Sequence, residues 1–173
     1  NVGSMYNKGV EFSLTSHNFA TNKFKWSTTF NFTYLQNEVT ALAPGVNEIR
    51  TATAGLETTN ITVVGKPVGN ILAVETRGVD PQTGRRIYVN KAGKEILYAH
   101  EAPSASRWTY KDGGGNAPAV NTAADGVAWA SPLPKFYGGL DNNLTYGNFD
   151  FTLNLTYALG YYVYSGSKAG IRD

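Results

Sequence analysis

The sequence contains no cysteine, a single methionine and few charges. Without cysteine, thiolate catalysis, Cys-ligated zinc and disulfide stapling are excluded. Charged residues make up 16%, against about a quarter in ordinary soluble domains. The formal net charge of +2 comes without any Lys/Arg cluster, so a nucleic-acid partner is not expected. No run of about eighteen apolar residues occurs, and so no transmembrane helix is encoded. A transmembrane β-barrel would escape such a scan, because its strands alternate and average out. Asn1 to Tyr6 lack the basic and apolar regions of a signal peptide. The chain starts and stops in mid-pattern, as a piece of a longer protein would.

Aromatics, Gly, Thr and Asn are abundant, in a pattern of period two. From Lys23 to Tyr34 one parity reads Phe24, Trp26, Thr28, Phe30, Phe32, Tyr34, and the other Lys23, Lys25, Ser27, Thr29, Asn31, Thr33. In a second run Phe149, Phe151, Leu153, Leu155, Tyr157, Leu159 and Tyr161 alternate with Asp150, Thr152, Asn154, Thr156, Ala158 and Gly160. Weaker runs carry Val10, Phe12 and Leu14, and Phe136, Leu140, Leu144 and Tyr146. Side chains of a strand point alternately to its two faces, so each run is a ribbon with one greasy and one wet face. Each is about ten residues or slightly more, the roughly 9–11 that a tilted strand needs to cross a bilayer. Globular strands are shorter, around five or six residues.

A soluble β-sandwich would alternate too, but its solvent face would carry more Lys and Glu. Bulky aromatics opposite Thr, Asn and Ser suit a lipid face opposite a barrel lumen. The expected fold class is therefore all-β, with antiparallel strands forming part of a large transmembrane β-barrel. Phe12, Leu14, Phe24, Trp26, Phe30, Phe32, Phe149, Phe151, Leu153 and Leu155 are the expected lipid-facing residues. Gly147-Asn148 is a two-residue hairpin turn, and the link from Ser16 to Asn22 is also short. Asn37 to Pro134, by contrast, is a polar excursion. Short periplasmic turns and long extracellular loops are the barrel pattern. Residues 1–36 are then two barrel strands with a periplasmic turn. Residues 37–134 are an extracellular loop or small β-subdomain, with short strands at Asn70–Arg77, Arg85–Asn90 and Lys94–Tyr98. Residues 135–173 are a hairpin running into an extracellular loop, with Tyr161, Tyr162 and Tyr164 at the outer interface.

Several stretches resemble the SusC/RagA family of TonB-dependent transporters. They are Asn1-Val-Gly-Ser-Met-Tyr-Asn-Lys-Gly-Val-Glu11, Phe24 to Tyr34, Gly65-Lys-Pro-Val-Gly69, Gly78-Val-Asp-Pro-Gln-Thr-Gly84 with Tyr88, and Pro134-Lys-Phe-Tyr-Gly-Gly139 through Gly160. The resemblance implies a late barrel segment of a bacterial outer-membrane importer of oligosaccharides or peptides. It also implies a SusD-like surface lipoprotein as lid, and energy from TonB through parts outside this chain. Many members of that family carry an acidic, calcium-loop-like stretch after the position of Tyr88. Here it reads Val89-Asn90-Lys91-Ala92-Gly93-Lys94, too poor in carboxylates for Ca²⁺, so a glycine turn and no metal are expected.

Catalytic constellations are lacking. His17 and His100 have no acid at a recognisable motif spacing, and Gly113-Gly-Gly115 has no Lys-Ser/Thr after it. Nothing selects a glycosidase pair from the thirteen acids. No enzyme and no cofactor are expected. Sequons at Asn31, Asn60, Asn143 and Asn154 are by-products of a Thr/Asn-rich wall. Trp108, Tyr110 and Trp129 are the candidate substrate-binding residues, because flat aromatic faces stack on sugar rings or peptide side chains. Packing of the excursion's own core is the competing role, and the preferred one. A soluble all-β carbohydrate-binding module is the alternative to an importer; it would need no detergent to extract.

Overall fold

The computed structural model describes residues 2–53 and 57–166. Asn1 of the family-like opening stretch and residues 167–173 of the expected terminal loop lie outside them.

Four long strands form one antiparallel sheet in the order β1-β2-β11-β12. They are β1 (Gly3–Ala20), β2 (Phe24–Leu42), β11 (Phe136–Tyr146) and β12 (Phe149–Leu159). The β11–β12 connection is the expected two-residue turn, with Tyr146 opposite Phe149. Gly147 has φ 58°, a conformation glycine adopts without a Cβ penalty. Between β1 and β2 the expected turn from Ser16 is not formed. β1 continues to Ala20 through an irregularity at Asn18, and the reversal is confined to Thr21–Lys23. It is held by Thr21 N donating to Phe24 O at 2.8 Å and Phe24 N to Thr21 Oγ1 at 2.9 Å. The two turns touch, since Gly147 N donates to Lys23 O at 2.9 Å. Both short reversals therefore share one end of the sheet, and the excursion leaves from the other.

β2 outruns its partner β11. The β2–β11 pairing ends at Tyr34–Phe136, while β2 continues beside β1 to Leu42. Beyond Leu35, whose N donates to Lys135 O, the vacated edge of β2 is taken by the excursion. Val39 N donates to Lys66 O and Gly65 N to Val39 O, each at 2.9 Å.

The excursion holds two small antiparallel sheets. One has the order β10-β5-β4-β3, from β3 (Glu48–Thr53), β4 (Glu57–Val63), β5 (Asn70–Ala73) and β10 (Val127–Ala130). The other runs β6-β7-β8-β9, from β6 (Thr76–Val79), β7 (Arg86–Val89), β8 (Glu95–Tyr98) and β9 (Trp108–Tyr110). The stretch Asn70–Arg77, expected as one strand, is divided between them. Asn70–Ala73 is held by β4 and β10, whereas Thr76 pairs with Tyr88 of β7. One helical turn, Thr122–Asp125, joins the sheets: Arg50 Nη1 of β3 donates to Ala123 O at 2.8 Å, and Lys91 N to Asp125 Oδ1 at 3.0 Å. Asn90–Lys94 forms the expected glycine turn, with Asn90 N donating to Lys94 O and Gly93 at φ 77°.

The buried hydrophobic residues lie almost entirely here: Ile61, Ile71 and Leu72 in one sheet, and Ile87, Val89, Ile96 and Leu97 in the other. Among the described residues the long sheet β1-β2-β11-β12 contributes only Val39, at the junction. Among the described residues nothing else covers its aromatic face; Phe12 is 50% and Phe149 80% exposed.

Candidate transport wall and binding surface

Directly opposed residues of antiparallel strands share a face. The registers therefore assemble the aromatic parity into rows across the sheet. From the excursion end they are Val10–Tyr34–Phe136–Leu159, Phe12–Phe32–Gly138–Tyr157 and Leu14–Phe30–Leu140–Leu155. After one polar row come Phe19–Trp26–Leu144–Phe151 and Phe24–Tyr146–Phe149. All ten residues expected to face lipid lie on this one face. Its rings interlock: Phe19 stacks on Trp26 at 6.0 Å, and Phe136 lies 6.0 Å from Phe32 and 5.3 Å from Tyr34. Gly138 leaves room for Tyr157, whose ring stacks on Phe30 and whose hydroxyl donates to Asn31 O at 3.1 Å. A Cβ at Gly138 would stand 2.7 Å from that hydroxyl.

The opposite face is a ladder of small polar side chains. Ser13 Oγ donates to Asn31 Oδ1 at 2.8 Å, and Thr15 and Thr29 share a 3.1 Å bond. Across the β11–β12 pair Asn154 bonds Asp141, Thr152 bonds Asn143 and Thr145 bonds Asp150, at 2.7–3.0 Å. His17, expected in a turn, stands in β1 opposite Ser27 on this face.

One feature of the aromatic face was not read from the sequence. The row Ser16–Thr28–Asn142–Leu153 is polar in three of four positions. Its hydrogen bonds close on one another. Trp26 Nε1 and Thr28 Oγ1 both donate to Asn142 Oδ1, Asn18 Nδ2 donates to Thr28 Oγ1, and Ser16 Oγ to Asn18 Oδ1. Thr28 and Asn142 interrupt the aromatic parity of their own strands, and that was the available signal.

Eleven residues at about 3.3 Å each, tilted by about 45°, rise roughly 26 Å, close to the apolar band of an outer-membrane barrel. One long aromatic face and one polar face of that height, with Glu11, Lys25, Asp141 and Asp150 among its Thr, Asn and Ser, can separate lipid from an aqueous channel.

The three candidate binding aromatics are not brought together. Trp108 packs 4.5 Å from Tyr98 and 5.5 Å from Tyr88, inside the β7–β9 sheet. Tyr110 receives the Lys94 ammonium over its ring at 5.1 Å. Trp129 alone stands at the junction with the long sheet, edge-on to Tyr162 at 4.9 Å and 52% exposed. Tyr162, Lys66 and Lys135 beside it were not among the expected site residues. Among the described residues no three His, Cys, Asp or Glu side chains come together as a metal site.

No family model matches the chain. It is 31% identical over 163 residues to TonB-dependent receptor P3 of Formosa agariphila, covering 92% of this chain and 15% of that protein. It is 26% identical to TonB-dependent receptor SusC of Bacteroides thetaiotaomicron, over 95% of this chain and 15% of that one. Among solved structures, the RagAB peptide transporter superposes with a TM-score of 0.63 at 22% identity, over 92% of this chain and 16% of that chain. The chain is of the SusC/RagA type. The SusC/RagA-type match spans about a seventh of the length of the curated relatives, and at the level of fold it falls on part of the RagA barrel. The proteins it resembles are receptors and transporters, not enzymes.

Proposed function

We propose that this SusC/RagA-type chain forms wall and outer mouth of a TonB-dependent importer in the bacterial outer membrane. The observation that carries the reading is the two-faced sheet: aromatic rows that no other described residue covers on one side, a Thr/Asn/Ser-rich ladder with a few charges on the other. The aromatic face lies against lipid and the polar face lines the passage. The excursion after Leu42 stands outside the cell, and the turns at Thr21–Lys23 and Gly147–Asn148 face the periplasm. Cargo is an oligosaccharide or peptide, a SusD-like lipoprotein closes the mouth, and TonB acts through parts of the protein other than this chain. A soluble carbohydrate-binding module would have to leave the whole aromatic face in water, which is the hallmark of an interaction surface rather than a solvated one.

Intact cells expressing the full transporter, treated with protease, test this arrangement. Cleavage is expected at the exposed Asp112–Gly115 tip, with Thr21–Lys23 protected until the outer membrane is opened, and the protein is expected in the detergent-soluble outer-membrane fraction. Cleavage at Thr21–Lys23 with the Asp112 tip protected would invert the topology. Recovery in a detergent-free soluble fraction would favour the binding module.

A further inference from the structure

A cavity of about 400 Å³ opens where the excursion meets the ends of β11 and β12, lined among others by Trp129, Tyr162, Lys66, Lys135 and Ser131. That size lies within the range of about 300–1,000 Å³ typical of ligand sites. The cavity belongs to the polar face. Thr33–Tyr137–Ala158 is the last full polar-face row, and the next position brings Leu35, Lys135 and Gly160 together through Leu35 N to Lys135 O and Lys135 N to Leu159 O. The Lys135 side chain lies over Gly160, where an added Cβ would come within 3.1 Å of Lys135 Cβ. Beyond Gly160, at φ 74°, the chain turns off the strand and sets Tyr162 against Trp129.

We propose that this cavity binds an anionic pyranose of an acidic saccharide, its ring stacked on the Trp129 indole and its anion held by Lys66 and Lys135. The inference rests on the importer reading and specifies the cargo class at the mouth. Among the described residues neither lysine is paired with a carboxylate. Two unpaired ammonium groups in one cavity repel each other, and a bound anion relieves that repulsion. Trp129 and Tyr162 are 52% and 54% exposed, and their edge-on contact leaves ring surface open for the apolar face of a sugar.

Part of the backbone around the cavity is already engaged, whereas β10 is an edge strand of its sheet, so an extended peptide is the competing occupant that the titration below distinguishes. Extended peptides are commonly bound by pairing with a free strand edge. Here Ser131 O is taken by Tyr162 N, Lys66 O by Val39 N, Pro67 O by Asn70 Nδ2 and Leu159 O by Lys135 N. The side chains in the cavity's lining include two cations, two rings and the Ser131 hydroxyl, which accepts from Leu133 N and keeps its own proton to donate. Those match a ring with hydroxyls and an acid group.

The test uses the full-length transporter carrying this chain, purified in detergent and titrated by calorimetry. The probes are a trigalacturonate, a sulfated galactan trimer, a neutral galactotriose and an acidic tripeptide of matching charge. Both anionic saccharides are expected to bind at least tenfold more tightly than the neutral one, and a preference between them identifies carboxylate or sulfate as the anion. Trp129→Ala should abolish saccharide binding. Lys66→Gln with Lys135→Gln should reduce the anionic saccharides to the affinity of the neutral trimer, while Lys94→Gln changes nothing. Equal affinity for neutral and anionic trimers, tighter binding of the tripeptide, no saccharide binding, or binding indifferent to these substitutions would each overturn the proposal. Variants that fail to reach the outer membrane are replaced by Trp129→Phe and Lys135→Arg, which keep ring and charge and should retain binding. A transporter that inserts and imports cargo while failing these titrations sinks only the cavity assignment. One that never enters the outer membrane sinks the importer reading itself.

Discussion

Trp26 Nε1 donates a 3.1 Å hydrogen bond to Asn142 Oδ1 across the β2–β11 pair, on the face otherwise built of apolar and aromatic residues. Thr28 Oγ1 donates to the same oxygen at 2.8 Å. On the proposed importer reading this face meets lipid, where an indole N–H and a hydroxyl have no water to turn to and one amide oxygen satisfies both. Asn142→Leu should therefore destabilise the folded transporter by about 1–3 kcal/mol, despite its greater hydrophobicity, because two donors lose their acceptor. Reversible urea unfolding in liposomes measures it. A stabilising Asn142→Leu would show that the row is wet.

Phe32 and Leu155 sit on the aromatic face, while Asn154 bonds Asp141 on the other. Arg at position 32 or 155 should cost roughly 2–4 kcal/mol near mid-bilayer. Asn154→Arg should be far milder, since water fills a lumen. Equal losses at both faces, in the same unfolding assay, would contradict a wall with lipid on one side only.

Asn37 joins three pieces of chain. Its Nδ2 donates to Asn7 Oδ1 at 2.7 Å, and its Oδ1 accepts from Val68 N at 2.7 Å. It is buried at 8% exposure. Asn37→Leu leaves the Val68 N–H and the Asn7 carbonyl oxygen without that partner, at a cost of about 1–3 kcal/mol. The loss should be local: amides of Gly65–Gly69 should exchange faster by hydrogen–deuterium mass spectrometry, with the β11–β12 hairpin unchanged. Uniform loosening of the whole sheet would show that Asn37 supports the wall and not the docking of the excursion.

Glu95 on β8 accepts from Lys111 Nζ at 2.8 Å and from Arg77 Nη1 at 2.9 Å. The Lys111 hydrogen bond, then that of Arg77, holds its carboxyl below the ordinary carboxylate value. The folded pKa is thus lower than the unfolded one, so the unfolded state takes up the proton first as pH falls. The stabilisation is present above about pH 4.5 and is lost as pH drops through the depressed folded value. Amide exchange in the β7–β9 sheet, corrected for intrinsic rates, should accelerate below that pH in the native chain. Glu95→Gln should remove this acid-dependent step. An unchanged step in the variant would assign it to another group.

Phe24 to Tyr34 and Phe149 to Leu159 were legible as two-faced ribbons because strand geometry fixes period two whatever the neighbours do. The Gly147-Asn148 reversal was legible for the same local reason. His17 was misplaced in a turn because the irregularity at Asn18 lets β1 run on to Ala20 against β2, and that pairing is a property of two strands. Asn70–Arg77 read as one strand because its sequence carries no sign that its halves join different sheets.

Local alternation, turn chemistry and the absence of cysteine determined the class: antiparallel strands with one greasy and one polar face, free of disulfides. Only the tertiary structure decided which rows meet. It aligned Asn142 with Thr28 and Ser16, brought Lys66 from far away in the chain to Trp129 and Lys135, and left Trp108 packed against Tyr98. Periodicity specifies the direction of a side chain relative to its own strand; the identity of its neighbour follows from register and from loop closure, which act between segments distant in sequence.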